Sequence, residues 1–142
     1  MKGIFTSIVT WSDKQSELTS IRRAVFIEEQ NVPESIELDG KDSECCHVLA
    51  LGGDSQPIGT ARMDKKGKIG RMAVLREYRR LGIGRQILQV IMDWGRLKGI
   101  TDFHLSAQIG AAGFYEKMGF ERSGGEFEEA GIRHVNMKIK TP

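Results

Sequence analysis

A mixed α/β fold, with helices packed on one sheet in a single domain over 1–142, is what the chain predicts. Three observations carry this reading. Apolar residues recur with a helical period around 18–25 and 83–94. Elsewhere they alternate with polar residues in short runs. The 142 residues, 39% apolar and 28% charged, suit a globular chain long enough to bury a sizeable core.

Taken in order, 4–10 alternates like a strand, and Ser12 with Gln15 suggests a capping box for a helix whose apolar face carries Leu18, Ile21 and Val25. From 47 to 74, HVLALGG, IGTARMD and KIGRMAV are separated by the turns DSQP and KKGK and read as an antiparallel meander. Ile83, Ile87, Leu88, Ile91 and Trp94 share one face of a helix from about 83 to 98, stopped by Gly99. Phe103, Leu105 and Ala107 alternate as a strand, 111–118 reads as a short helix closed by Gly119, and 133–140 as a final strand. Strand, helix, meander, helix, strand, helix, strand is the order of a mixed sheet.

Basic and acidic residues nearly cancel, 21 against 19 for a net charge of +2, so general nucleic-acid or membrane binding is not expected. No apolar run approaches the ~18 residues of a membrane span, and the first residues lack a signal peptide's apolar core; a cytoplasmic protein is expected. Cys45 and Cys46 are adjacent and, with His47, lack the spaced fourth ligand of a zinc site. They read as the start of a buried strand, and no metal is expected.

Charge is distributed unevenly. Arg76, Arg79, Arg80 and Arg85 crowd one segment against a single Glu77, whereas 34–44 holds five acids and one lysine. Within the basic segment, Gly82 and Gly84 open a helix, although each glycine costs roughly 0.5–1 kcal/mol there relative to alanine. A helix N-terminus leaves backbone N–H groups without partners and carries partial positive charge, so glycines there let a phosphate reach the main chain. The competing reading is a tight strand-to-helix connection. There is no G-K-S/T, and Ile87 stands where a G-x-G-x-x-G fingerprint needs its third glycine. A nucleotide-binding regulatory domain is therefore the weakest reading.

What remains is R-x-x-G-x-G over 79–84, preceded by the strand MAV and followed by a second strand and FYEKMGF. This ordered set resembles the GCN5-related N-acetyltransferase (GNAT) superfamily, whose acetyl-CoA motif is Q/R-x-x-G-x-G/A. The resemblance is strongest over 69–120. VFIEEQNVP and EEAGIRHVNM extend it toward a YjcF-like bacterial branch. It implies the acyl-CoA N-acyltransferase fold, mostly antiparallel with splayed strands. The implied reaction is direct acetyl transfer from acetyl-CoA to an amine of a small molecule or protein. An acyl-CoA-binding module without turnover is the alternative, and a homodimer stays open.

The resemblance also implies roles. Main-chain amides of Arg79, Arg80, Leu81, Gly82, Ile83, Gly84 and Arg85 would hold the coenzyme's pyrophosphate. Met72, Ala73 and Val74 would pair with its pantetheine arm, as an added strand does. The acetyl group would lie near Ala107, Gln108 and Tyr115. Tyr115 stands where the family's usual general acid stands, with aromatic packing between Phe114 and Phe120 as the competing account. Gln108 binds cofactor or substrate, or is a sheet-end amide.

For the base, many relatives have a glutamate four residues before the position matching Met72, where this chain has Lys68. His134 is the first candidate, because Val135, Met137 and Ile139 point to the opposite strand face. Glu28, Glu29 and His47 follow. For the acceptor, the acidic 34–44 segment suits a cationic amine, whereas Arg22 and Arg71, if in the cleft, suit a carboxylate or phosphate.

Overall fold

A computed structural model describes residues 3–140, without the side chain of Lys140. Strand β1 (Phe5–Val9) leads into α1 (Trp11–Arg22), which runs on as a π-helical segment, Arg23–Glu29. A short helix α2 (Glu34–Glu37) precedes the meander β2 (Cys46–Leu51), β3 (Pro57–Met63) and β4 (Lys68–Val74). Then come α3 (Ile83–Leu97), β5 (Asp102–Gln108), α4 (Ala112–Lys117), β6 (Glu121–Glu129) and β7 (Ile132–Lys140). The strands form one sheet in the order β1-β2-β3-β4-β5-β7-β6, antiparallel throughout except where β4 meets β5.

The two long helices cover opposite faces because β-strand side chains alternate. Val48 and Ala50 of β2 join the cluster containing Ile83, Ile87, Leu88 and Ile91 of α3. Between them, Leu49 points the other way, to Leu18 and Ile21 of α1 and Val25 beyond it. Gly95 is unusual inside a helix, but a Cβ there would stand 2.6 Å from the Phe103 ring, so the glycine lets α3 approach the sheet.

Three features differ from the sequence reading. The N-cap of α1 is Thr10, whose hydroxyl accepts from the Asp13 amide at 3.3 Å; the Ser12–Gln15 capping box does not form. The helix starts two residues earlier than that pattern requires, at Trp11 instead of Asp13. Strand β6 has no counterpart in the expected element order and occupies the edge beyond β7. Finally, α1 widens into the π-helical turn, with Gln30 N–H bonding back to the Val25 carbonyl at 3.1 Å.

Candidate active site

The sheet opens between β4 and β5. They pair only as Lys68 with His104 and Ile69 with Leu105, so beyond those residues the two parallel strands separate. On its other side β4 stays bonded to β3 through Val74. Main-chain groups of β4 after Ile69 therefore face the gap without a strand partner. Within this stretch Arg71 and Met72 stand opposite the single Ala61, a bulge in which Arg71 adopts φ +50°. A bulge increases local twist and re-aims side chains, which helps turn this end of β4 away from β5.

A cavity of about 1330 Å³ follows the gap, and its walls include Met72, Ala73, Val74, Arg79, Arg80, Gly82, Ile83, Gly84 and Arg85. Ala107, Gln108, Tyr115 and His134 also line it. Leu81 is not part of that wall; it lies half-exposed beside the cavity. At the mouth, Gly82 caps α3 at φ +81°. The first backbone bond of the helix is Gln86 N–H to the Gly82 carbonyl, which leaves the Ile83, Gly84 and Arg85 amides without intrahelical acceptors. Nothing lies within 4 Å of where a Gly82 Cβ would stand, and a Gly84 Cβ would be 3.5 Å from Phe114. The main chain is thus bare toward the cavity, as an anion cradle requires.

The arginines of this segment divide in two. Arg79 donates through Nη1 and Nη2 to Glu29 at 2.8 and 2.7 Å and through Nε to the Val74 carbonyl at 2.8 Å. Its guanidinium is thereby committed to holding the turn. Arg76 also reaches Glu29, at 3.4 Å. Arg80 and Arg85 line the cavity and form no ion pair among the described residues, so they supply its positive field. Arg80 has φ +66°, uncommon for a side-chain-bearing residue, within the turn that presents the amides.

Deeper in the cleft, Tyr115 is 8% exposed, packs edge-on against Phe114 and Phe120, and directs its hydroxyl to Met72 Sδ at 3.5 Å. Packing and an available O–H therefore coexist at this side chain. Burial pushes its pKa up to about 12, so it is a protonated donor across the neutral range. Gln108 donates through Nε2 to Gln30 Oε1 at 2.8 Å.

His134 stacks on Phe127 with centroids 5.8 Å apart, and its Nδ1 lies 2.7 Å from the Ile132 carbonyl. A carbonyl can only accept, so Nδ1 carries the hydrogen, and in the neutral ring the lone pair is on Nε2. The other base candidates fare less well. Glu29 is tied to Arg79, which through hydrogen bonding holds its carboxyl below the usual range. Glu28 is exposed and is not part of the cavity wall. His47 is 1% exposed, lies 5.5 Å from the Trp11 ring, and has Nε2 2.9 Å from the Asp42 carbonyl. Burial lowers its pKa, and it too is absent from the cavity wall.

The acidic segment and the arginines, expected from sequence to favour opposite acceptors, turn out to be one another's partners. Arg22 does not face the cleft; at 1% exposure it binds Glu37 and Asp42 at 2.7 Å each. Arg71 binds Glu37 at 2.7 Å and reaches Asp39, and Arg62 joins Asp39 to Asp42. Three cations and three carboxylates close a neutral cluster, of which Glu37, Asp39, Arg62 and Arg71 line the cavity. Hydrogen bonding from Arg62 holds the Asp39 carboxyl well below the usual carboxylate range. Cys45 and Cys46 are half-buried beside this cluster; burial raises both thiols, that of Cys46 to about 11. Among the described residues, no group of three or more His, Cys, Asp or Glu side chains is arranged to hold a metal ion, and no helix is long and apolar enough to cross a membrane.

The acetyltransferase (GNAT) domain family model matches residues 11–141. Protein YyaT of Bacillus subtilis is 42% identical over 85% of this chain and 85% of its own. The N-acetyltransferase YjcF of the same organism is 36% identical over 82% and 86%. Among solved structures, an acyl-CoA N-acyltransferase from Pseudomonas aeruginosa superposes with a TM-score of 0.84 at 26% identity, covering 95% of this chain and 98% of its own. Splayed strands, an amide-lined helix start and a family match across nearly the whole chain lead to one conclusion: the chain belongs to the GCN5-related N-acetyltransferase family and is an acetyl-CoA-dependent N-acetyltransferase.

Proposed function

We propose that the whole chain works as one catalytic unit, with acetyl-CoA in the gap between β4 and β5 and an amine entering along the wall formed by Phe26, Val32 and Ile36. The observation that carries this reading is that two stretches of unpaired main chain border one cavity, the open edge of β4 after Ile69 and the free amides at Ile83, Gly84 and Arg85. A pantetheine arm carries amides that an open strand edge can pair with, and a pyrophosphate suits the helix start. Met72, Ala73 and Val74 hold the arm. The turn from Arg79 to Arg85 holds the phosphates, with Arg80 and Arg85 adding charge.

Bound acetyl-CoA supplies an activated acyl group as a thioester. The protein's tasks are to leave the amine neutral and to move two protons. Apolar side chains on the acceptor wall disfavour a charged ammonium. His134 Nε2, the basic nitrogen of the neutral ring when Nδ1 donates to the Ile132 carbonyl, takes the amine proton. Tyr115 gives its hydroxyl proton to the departing sulfur. Gln108 orients the groups between them. Because Arg62 and Arg71 beside the acceptor wall are neutralised by Glu37, Asp39 and Asp42, the acceptor is selected chiefly by shape and hydrogen bonding.

CoA release measured across a panel of small amines and peptide N-termini tests this reading. Transfer to at least one class, with CoA as a competitive inhibitor against acetyl-CoA, is expected. Tight acetyl-CoA binding without transfer to any of them would favour a binding module.

A further inference from the structure

The strands that part after Ile69 and Leu105 are tied together again at their far ends by two adjacent side chains. Glu29, the last residue of the π-helical segment, holds both terminal nitrogens of Arg79, and Arg79 in turn holds the carbonyl of Val74, the last residue of β4. The next residue, Gln30, accepts from Gln108, the last residue of β5. Consecutive residues therefore grip both sides of the opening. The same segment lines the cavity through Val25, Phe26 and Gln30. The Glu29 link is bidentate and charge-assisted, the kind of contact that fixes orientation as well as distance.

We propose that Glu29 and Gln30 are positioning residues that set the width of the open sheet and carry occupancy of the amide cradle to the acceptor wall. The proposal rests on assigning the coenzyme phosphates to the turn from Arg79 to Arg85. A ligand that immobilises this turn also restrains the Arg79 guanidinium, which restrains Glu29 and the π-helical segment ending in it. Two sites sharing such an element are coupled in both directions, with typical factors of roughly 5–150. Gln30 holds the opposite strand still, so that the restraint is not lost as movement of β5.

Hydrogen–deuterium exchange on the full chain, with and without CoA, tests this without a known acceptor. In the wild-type protein CoA should slow exchange at 79–86 and, by about fivefold or more, at 23–32. Glu29→Ala should keep protection at 79–86 and lose it at 23–32, while Arg23→Ala, in the same segment but paired at the surface with Glu34, should behave as wild type. If alanine unfolds the segment, Glu29→Gln serves, keeping the size and removing the charge. Gln30→Ala should leave CoA affinity within about twofold and raise exchange at 106–109 by a factor in the same range. Unchanged protection of 23–32 in Glu29→Ala, or none in the wild type beside a protected cradle, overturns the proposal, and an unaltered β5 end in Gln30→Ala removes Gln30 from it. Lack of protection at 79–86 in the wild type would instead overturn the coenzyme assignment beneath it.

Discussion

Replacing Tyr115 by phenylalanine removes one oxygen and leaves the ring against Phe114 and Phe120. The hydroxyl's one hydrogen bond is to a thioether at 3.5 Å, a weak acceptor. Its loss should cost less than about 1 kcal/mol at neutral pH. Turnover is a different matter. General acid catalysis is worth about 10²–10⁴-fold, so transfer to the best acceptor should fall by two orders of magnitude or more, with CoA affinity nearly unchanged. Stability at high pH supplies an independent check. The folded protein holds this phenol at about 12 against an unfolded value of 10, so stability is fully present below pH 10 and lost as pH rises toward 12. Two pH units correspond to roughly 3 kcal/mol in total, and the phenylalanine variant should lack this loss. Steady-state rates, with denaturant melts from pH 8 to 12, read both effects. A phenylalanine variant with full turnover would refute the acid role, and one with the wild-type alkaline loss would refute the buried-phenol argument.

Gly84→Val should weaken CoA binding by tenfold or more, about 1.4 kcal/mol, by placing methyl groups between the cradle and Phe114, whereas Arg96→Ala farther along α3 should not; equal affinities by calorimetry would remove the cradle. His134→Ala should lower the transfer rate and leave CoA affinity unchanged, and a full rate would send the proton elsewhere. Glu37→Ala should destabilise the fold by about 3–5 kcal/mol, since Arg22 stays buried with only Asp42, while breaking the exposed Arg23–Glu34 pair should cost under ~1 kcal/mol. Urea melts compare the two, and similar losses would contradict the burial argument. Asp39 and Glu29 are held low in the folded state by Arg62 and Arg79, so their contribution is complete above the unfolded carboxylate value near 4 and is lost on acidification below it. Melting temperature should therefore drop below about pH 4, and a flat profile there would count against the cluster.

Local signals were readable from the chain alone. The apolar stripe Ile83, Ile87, Leu88 and Ile91, the glycines at 82 and 84, and the alternation in β5 each depend on neighbours a few residues away. What sequence left unread depends on distance or on weak pattern. Strand β6, ERSGGEFEE, has two central glycines, and Phe127 is its sole large apolar residue. That composition suits an edge strand but lacks the alternation that announces one. The pairing of Arg22 with Glu37 and of Arg71 with Asp39 spans 15 and 32 residues, so charges that cancel in space looked like two separate signals. Glu29 illustrates the same limit. Its part in holding Arg79 is visible only once the chain has brought together residues 50 apart.

The two half-buried cysteines have a practical consequence for how this enzyme can be followed. Both thiols are raised by burial, so near neutral pH each is overwhelmingly the protonated, poorly nucleophilic form. Free CoA carries an exposed thiol that solvent reaches without hindrance. A disulfide-exchange dye added to a running reaction should therefore report the product against a nearly silent protein, and slow oxidation during storage should spare Cys45 and Cys46. Denaturation would expose both sulfurs, turning the same dye into a count of unfolded molecules.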